Sequence, residues 1–157
     1  MRPGERGQGP EIAESRIPTI HDSRLTIHEL QQWGEELGRA LRAPVIITLE
    51  GDLGTGKTTL AQAICSGVGV REDVTSPTFA LVNEYHAERA TVFHLDLYRL
   101  RGPDDLTNLA WDDIVNSAAI VLVEWPERAG DRMPADVMKI RLEHIAGDDG
   151  HRRLILA

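Results

Sequence analysis

The sequence is poor in cysteine and has no long apolar run. Cys65 is the one cysteine in 157 residues, so neither an intramolecular disulfide nor a cysteine metal cluster can form. No apolar stretch approaches the roughly 20 residues of a membrane-spanning helix, and the first ten residues lack the apolar segment of a signal peptide. These absences predict a cytoplasmic protein without a membrane partner.

Positive charge is also in deficit. The chain has 17 Lys and Arg against 25 Asp and Glu, a formal net charge of -8. This balance argues against a broad nucleic-acid-binding surface, although an acidic protein can still serve RNA indirectly. The length suits one domain. We expect a disordered leader at residues 1–18, where proline and glycine replace apolar side chains, and a single domain at residues 19–157.

One glycine-rich stretch organises the rest of the chain. GDLGTGKTT at positions 51–59 follows an apolar run at 45–49 and precedes a helix-compatible segment, as the phosphate-binding P-loop template requires. Its amides are expected to converge on a polyphosphate, Lys57 to neutralise the terminal phosphates, and the Thr58 hydroxyl to bind a nucleotide-bound Mg²⁺. The predicted nucleotide-binding residues here are Asp52, Leu53, Gly54, Thr55, Gly56, Lys57, Thr58 and Thr59.

Periodicity predicts an α/β fold of the P-loop NTPase type. Helices are expected at residues 26–41 and 58–68, and one or two short helices between 101 and 116. Strands are expected at 45–49 and 120–124 in the centre of the sheet. A hydroxyl-rich turn that leads into an alternating run at 75–85 is followed by a second alternating run at 91–98. The polar link between the two runs is too short for a crossover helix, so we expect an antiparallel hairpin within a mixed, mainly parallel, three-layer fold. A second hairpin is expected to turn at residues 147–150.

Two predicted strands end in a carboxylate. Asp96 closes the run before Leu97, and Glu124 closes the most apolar run of the chain. A P-loop enzyme needs an acid at such a position, to hold Mg²⁺ directly or through water, or to orient the attacking water. Glu124 is the first choice for the Mg²⁺ ligand and Asp96 the second. The candidate catalytic residues are Lys57, Glu124 and Asp96, and the candidate metal ligands are Thr58, Glu124 and Asp96. An arbitrary acid at a strand end is more often a solvated terminus, but the P-loop reverses that expectation for at least one of these two.

Three further residues are candidates for the site. Ser76 and Thr78 follow the predicted P-loop helix, where their hydroxyls could reach Mg²⁺ or the terminal phosphate, although Ser-Pro also favours a simple turn. Trp125 directly follows Glu124 and suits either packing beside a buried strand or a place at the nucleotide or partner site.

Four segments together resemble one bacterial family. GDLGTGKTTL, TSPTFALVNEY, HLDLYRL and VEWPER, in this order and spacing, resemble the TsaE (YjeE) family of ATPases in tRNA threonylcarbamoyladenosine biosynthesis. The resemblance covers about residues 30–142. It implies a weak Mg²⁺-dependent ATPase that acts with the TsaD and TsaB subunits to modify adenosine 37 of ANN-decoding tRNAs, touching tRNA indirectly. It also implies roles for Thr78 and Trp125 in nucleotide binding.

Two alternatives remain open from the residues themselves. A small-molecule kinase would need a lid with paired arginines that closes over the phosphates, together with an acceptor pocket, and Arg99, Arg101 and Arg128 are available for such a lid. A nucleotide-dependent assembly switch would bind ATP with negligible turnover alone.

Overall fold

Seven strands form one mixed sheet in the computed structural model, which describes residues 22–77 and 80–157. The strands are β1 (Asp22–Thr26), β2 (Val45–Glu50), β3 (Val82–His86), β4 (Thr91–Asp96), β5 (Ile120–Glu124), β6 (Met138–Ile145) and β7 (Asp148–Leu156). The helices are α1 (Ile27–Ala40), α2 (Lys57–Val68) and α3 (Trp111–Val115), with 3-10 helices at Pro103–Leu109 and Pro126–Arg132. The expected leader at residues 1–18 lies outside the described residues, and so does Thr78.

The strand order is β1-β7-β6-β2-β5-β4-β3. Strands β6, β2, β5 and β4 are mutually parallel. On one side of them β7 pairs antiparallel with β6 and β1 pairs antiparallel with β7, and on the other side β3 pairs antiparallel with β4. The predicted mixed α/β sheet is therefore confirmed, with β2 and β5 adjacent at its centre and β3 and β4 paired as a hairpin.

Helices cover the sheet on both faces. Successive residues of β5 point to opposite sides, so Ile120 and Leu122 pack with α1 and α2, whereas Val121 and Val123 pack with α3 and the 3-10 helices. All five residues of β5 are buried, as its continuous apolar sequence predicts. The result is three layers with β5 in the middle.

Local signals set the limits of α1. Thr26 accepts a hydrogen bond from the Glu29 amide and the Glu29 side chain accepts one from the Thr26 amide, which forms a capping box. Leu30, Trp33 and Leu37 form the buried stripe of this helix. The predicted helix is confirmed to within one residue at each end.

The predicted turn of the last hairpin is wrong by two residues. β6 and β7 close at the Ile145–Asp148 pair, so the connection is Ala146 and Gly147 rather than residues 147–150. Gly147 takes the positive φ of +76° that a tight connection needs. Asp148 belongs to the strand, and its side chain forms an ion pair with Arg24 of β1.

No helix within residues 22–77 and 80–157 combines the length and apolar character needed to cross a membrane.

Candidate functional site

The glycine-rich loop joins the end of β2 to the start of α2. Gly51 has a φ of +149°, and a Cβ there would lie 2.4 Å from the Leu142 carbonyl oxygen, so only glycine fits. Gly56 has a φ of +107° and immediately precedes α2. The Thr55 hydroxyl donates to the Asp52 carbonyl at 2.8 Å and fixes the turn. The loop therefore presents backbone amides at a helix N-terminus, which is a favourable place for an anion.

Lys57 is the first residue of α2 and is only 6% exposed. Its Nζ donates to the carbonyl oxygens of Gly51 and Asp52, the latter at 3.1 Å, and lies 4.0 Å from the centre of the Trp125 ring. Burial lowers the pKa of Lys57, and the negative charge of Glu124 is the main opposing influence. The structure thus holds a partly desolvated ammonium beside the loop, where an anionic ligand would compensate it.

The two strand-end acids lie side by side. Asp96 of β4 pairs with Glu124 of β5, because these strands are adjacent and parallel. Glu124 shares the side-chain direction of Ile120 and Leu122, so it points toward α2. There the Thr58 hydroxyl lies 3.2 Å and 3.3 Å from its two carboxylate oxygens. The strand order therefore brings together the loop, the threonine and both acids.

The environments of the two acids differ. Glu124 is 2% exposed, whereas Asp96 is half-buried and accepts a hydrogen bond from the Tyr98 amide at 3.0 Å. Burial raises the pKa of Asp96, and the neighbouring Glu124 charge adds to the increase. Asp96 is thus the more accessible of the two acids, and its proton affinity is raised.

Trp125 belongs to the site. Its backbone φ of +58° is unusual for a bulky residue, and such strain is concentrated at functional positions. The ring lies 4.9 Å from the Tyr98 ring, centroid to centroid, and beneath the Lys57 ammonium. Trp125 therefore shapes the wall of the site next to the phosphate loop.

A cleft of about 510 Å³ opens between these groups. The predicted residues that line it are Leu53, Gly54, Gly56, Lys57, Thr58, Thr59, Ser76, Asp96, Glu124 and Trp125. Asp52 and Thr55 shape the loop through their mutual hydrogen bond instead of lining the cleft. Thr78 lies outside the described residues.

Sequence analysis missed four lining residues, which are Ile27, Tyr98, Arg99 and Arg152. Arg152 is the most informative, because its Nε and Nη1 atoms are buried and have no hydrogen-bond partner among the described residues. It comes from β7, far along the chain from the phosphate loop. A guanidinium with two buried donors that lack a partner in the described part of the chain is suited to an anion or a ring face. No local signal in the sequence could have placed it there.

These residues fit a magnesium-bound nucleotide. Residues 22–77 and 80–157 contain no group of three or more His, Cys, Asp or Glu side chains able to enclose a metal by themselves. Mg²⁺ commonly takes one or two carboxylates together with substrate phosphates and water. The Thr58 hydroxyl and the buried Glu124 carboxylate, beside a phosphate-type loop, are donors of that kind.

Comparisons with known proteins agree on one family. The family model described as "Threonylcarbamoyl adenosine biosynthesis protein TsaE" matches residues 25–154. A tRNA threonylcarbamoyladenosine biosynthesis protein TsaE of Treponema pallidum is 34% identical over 126 residues, covering 80% of this chain and 91% of that protein. The protein of the same name from a Nostoc species is 42% identical over 120 residues, covering 74% and 72%.

A solved structure has the same fold. The crystal structure of Bacillus subtilis YdiB superposes with a TM-score of 0.72 at 27% identity, covering 86% of this chain and 82% of that one. The P-loop NTPase-like fold expected from the sequence is in agreement with this likeness.

Proposed function

Because the chain belongs to the TsaE family of threonylcarbamoyl adenosine biosynthesis proteins, we propose that it binds and hydrolyses ATP during this tRNA modification. Participation in threonylcarbamoyladenosine biosynthesis follows from the family itself. The observation that supports ATP chemistry is the convergence of Lys57, Thr58 and Glu124 at the end of the glycine-rich loop.

Each of these residues has a distinct task in the proposed reaction. The loop amides and Lys57 bind the phosphates and meet the charge that grows on them. The Thr58 hydroxyl and Glu124 carboxylate would hold Mg²⁺, which when bound neutralises phosphate charge. Asp96 would orient a water or accept its proton, which its greater accessibility and raised pKa support. Trp125 excludes solvent beside Lys57.

The proposed function also involves partner proteins. The family resemblance supports action with the TsaD and TsaB subunits on adenosine 37 of ANN-decoding tRNAs. The net charge of -8 favours indirect contact with tRNA through the complex. Turnover by the chain alone is expected to be weak.

Measuring ATP hydrolysis by the purified chain, alone and with both partner proteins and tRNA, tests this function. Inorganic phosphate should appear, with a higher rate in the complex and no phosphorylated small molecule. Lys57→Ala should weaken nucleotide binding by about 10- to 100-fold because it removes a charge-assisted contact. Cys65→Ala, a buried change in the same helix, should leave nucleotide affinity unchanged.

Other products would identify another function. A phosphorylated acceptor would replace the ATPase by a kinase, and nucleotide binding without phosphate release, even with partners, would leave an assembly switch. Normal hydrolysis by Lys57→Ala would contradict the site itself.

A further inference from the structure

A fully buried histidine contacts the strand-end acid Glu124. His94 lies in β4 two residues before Asp96, and its side chain points toward α2 because alternate residues of a strand share a face. Its Nε2 atom lies 2.6 Å from Oε2 of Glu124, and the two side chains are 0% and 3% exposed. The phosphate-loop interpretation of the site does not use this contact.

The chemistry of the pair assigns the donor. A carboxylate oxygen only accepts hydrogen bonds, so the ring nitrogen Nε2 carries the proton and donates it. The other ring nitrogen, Nδ1, is buried and has no partner within the described part of the chain. Burial of an unpaired polar atom is unfavourable, and a leucine would fill the same space without that cost. Packing alone therefore does not explain a histidine here, whereas the Nε2 contact does.

The contact restrains the Glu124 carboxylate. Oε2 accepts from His94, and the Thr58 hydroxyl lies within 3.3 Å of both carboxylate oxygens. With Oε2 held from β4, rotation of the carboxyl group is limited, and both of its oxygens stay beside the Thr58 hydroxyl. Hydrogen bonds to a ligating carboxylate tune a metal site in this way.

We propose that His94 is a positioning residue that orients Glu124 for a divalent cation bound with the nucleotide. This inference rests on the proposed function of the cleft. His94 touches neither nucleotide nor metal and acts only through Glu124.

Two amide substitutions of His94 distinguish a role in orienting Glu124 from a role in filling the space that the ring occupies. His94→Gln keeps an N–H donor near the place of Nε2, whereas His94→Asn has a side chain one carbon shorter and cannot bring its donor as close to Glu124. The measurement is ADP affinity by calorimetry, with Mg²⁺ and with a chelator. The readout is the ratio of the two affinities, which a merely structural role would not change.

The wild-type chain should bind ADP more tightly with Mg²⁺. His94→Asn should reduce that gain by about 10- to 100-fold, as loss of a carboxylate's hydrogen-bond partner typically does, while affinity in chelator stays unchanged. His94→Gln should keep the gain within a few-fold. Val92→Ala, two residues earlier on the same buried face, is the matched control and should lower stability without altering the ratio.

Three outcomes overturn the proposal. The first is a His94→Asn variant in which Mg²⁺ increases ADP affinity as much as in the wild-type chain. The second is a wild-type chain whose ADP affinity does not depend on Mg²⁺. The third is full additivity of the affinity losses when His94→Asn is combined with Glu124→Gln. Absence of any nucleotide binding by the wild-type chain would instead contradict the proposed function.

A nuclear magnetic resonance measurement tests the same proposal even if the His94→Asn variant does not fold. In a chain with ¹⁵N-labelled histidine, one protected Nε2–H proton should appear far downfield and shift on addition of Mg²⁺ and ADP. Glu124→Gln should move or abolish that signal. Failure to observe such a proton in the wild-type chain would overturn the proposal as well.

Discussion

At the scale of single residues, the two strand-end acids are chemically different although their sequence contexts are alike. Glu124 is buried between His94 and Thr58, whereas Asp96 is half-buried and is contacted by the Tyr98 amide. A buried and restrained carboxylate suits a cation. A more accessible one with a raised pKa suits water activation.

We therefore predict different effects of the two isosteric amides. Glu124→Gln should lower both the hydrolysis rate and the Mg²⁺-dependent nucleotide affinity, because the charge facing Thr58 is lost. Asp96→Asn should lower the rate by about 100-fold or more while leaving that affinity within a few-fold. Magnesium titrations of rate and of ADP binding measure the two effects separately. Equal loss of affinity in both variants would show that the acids share the metal.

At the scale of elements, α1 and α2 pack with their backbones in close contact. Gly38 of α1 faces Gly67 of α2, and a Cβ on Gly38 would lie 2.2 Å from the Ile64 carbonyl oxygen. A Cβ on Gly67 would lie 2.2 Å from the Glu35 carbonyl oxygen. Because α2 begins at Lys57 and Thr58, this contact also positions the phosphate loop relative to the first helix.

Gly38→Ala is predicted to destabilise the fold although alanine favours an isolated helix. The propensity gain of roughly 1 kcal/mol is outweighed by the overpacking of backbone against backbone, so we expect a net loss of about 1–2 kcal/mol. Urea denaturation measures it. Gly102→Ala is the control, since a Cβ there meets nothing within 4 Å, and it should be nearly neutral. A stabilised Gly38→Ala variant would contradict the close packing.

Two ion pairs join the side chains of β1 and β7, in addition to the antiparallel pairing of the two strands. Arg24 contacts Asp148, and Arg153 contacts Asp22, each joining β1 to β7. The hydrogen bond from Arg24, followed by that from His151, lowers the pKa of Asp148 from its ordinary 3.8 to about 2. The pair is exposed, so its contribution to stability is small.

This shift predicts a defined pH dependence. A lowered folded-state pKa stabilises the fold above the ordinary value of 3.8, and that stabilisation is lost as pH falls toward about 2. The difference in unfolding free energy between the wild-type chain and Asp148→Asn should thus be positive at pH 6 and shrink between pH 4 and pH 2. Urea denaturation at a series of pH values follows it. A difference in unfolding free energy that increases as the pH falls would contradict this prediction.

At the scale of the whole molecule, two buried clusters lie on opposite faces of one sheet. Trp33 belongs to the cluster under α1 and α2, and Trp111 to the cluster under α3. β5 supplies residues to both clusters, so neither face can lose its packing without exposing the same strand. This shared strand couples the two faces energetically.

We predict that both faces unfold in one transition. Urea curves from variants that keep Trp33 or Trp111 as the fluorescent reporter, with the other two tryptophans changed to phenylalanine, should each coincide with that variant's own circular-dichroism curve. A midpoint difference between fluorescence and circular dichroism in either variant would show that the faces unfold separately.

Local patterns in the sequence determined much of this protein. The glycine spacing predicted the phosphate loop, the capping residues and the apolar stripe predicted α1, and the short polar link predicted the β3–β4 hairpin. Each of these features depends on interactions within about ten residues, where capping, periodicity and turn chemistry act. Both acids were also identified, because each ends an apolar strand.

Only the tertiary structure decided which distant residues meet. The order of strands places β4 beside β5 and β7 beside β1, and so brings His94 to Glu124 and Arg152 to the cleft. The left-handed backbone of Trp125, in the wall of the cleft, was also not foreseen from the sequence. Contacts between remote strands are set by the packing of both faces of the sheet, and no short stretch of sequence encodes that packing.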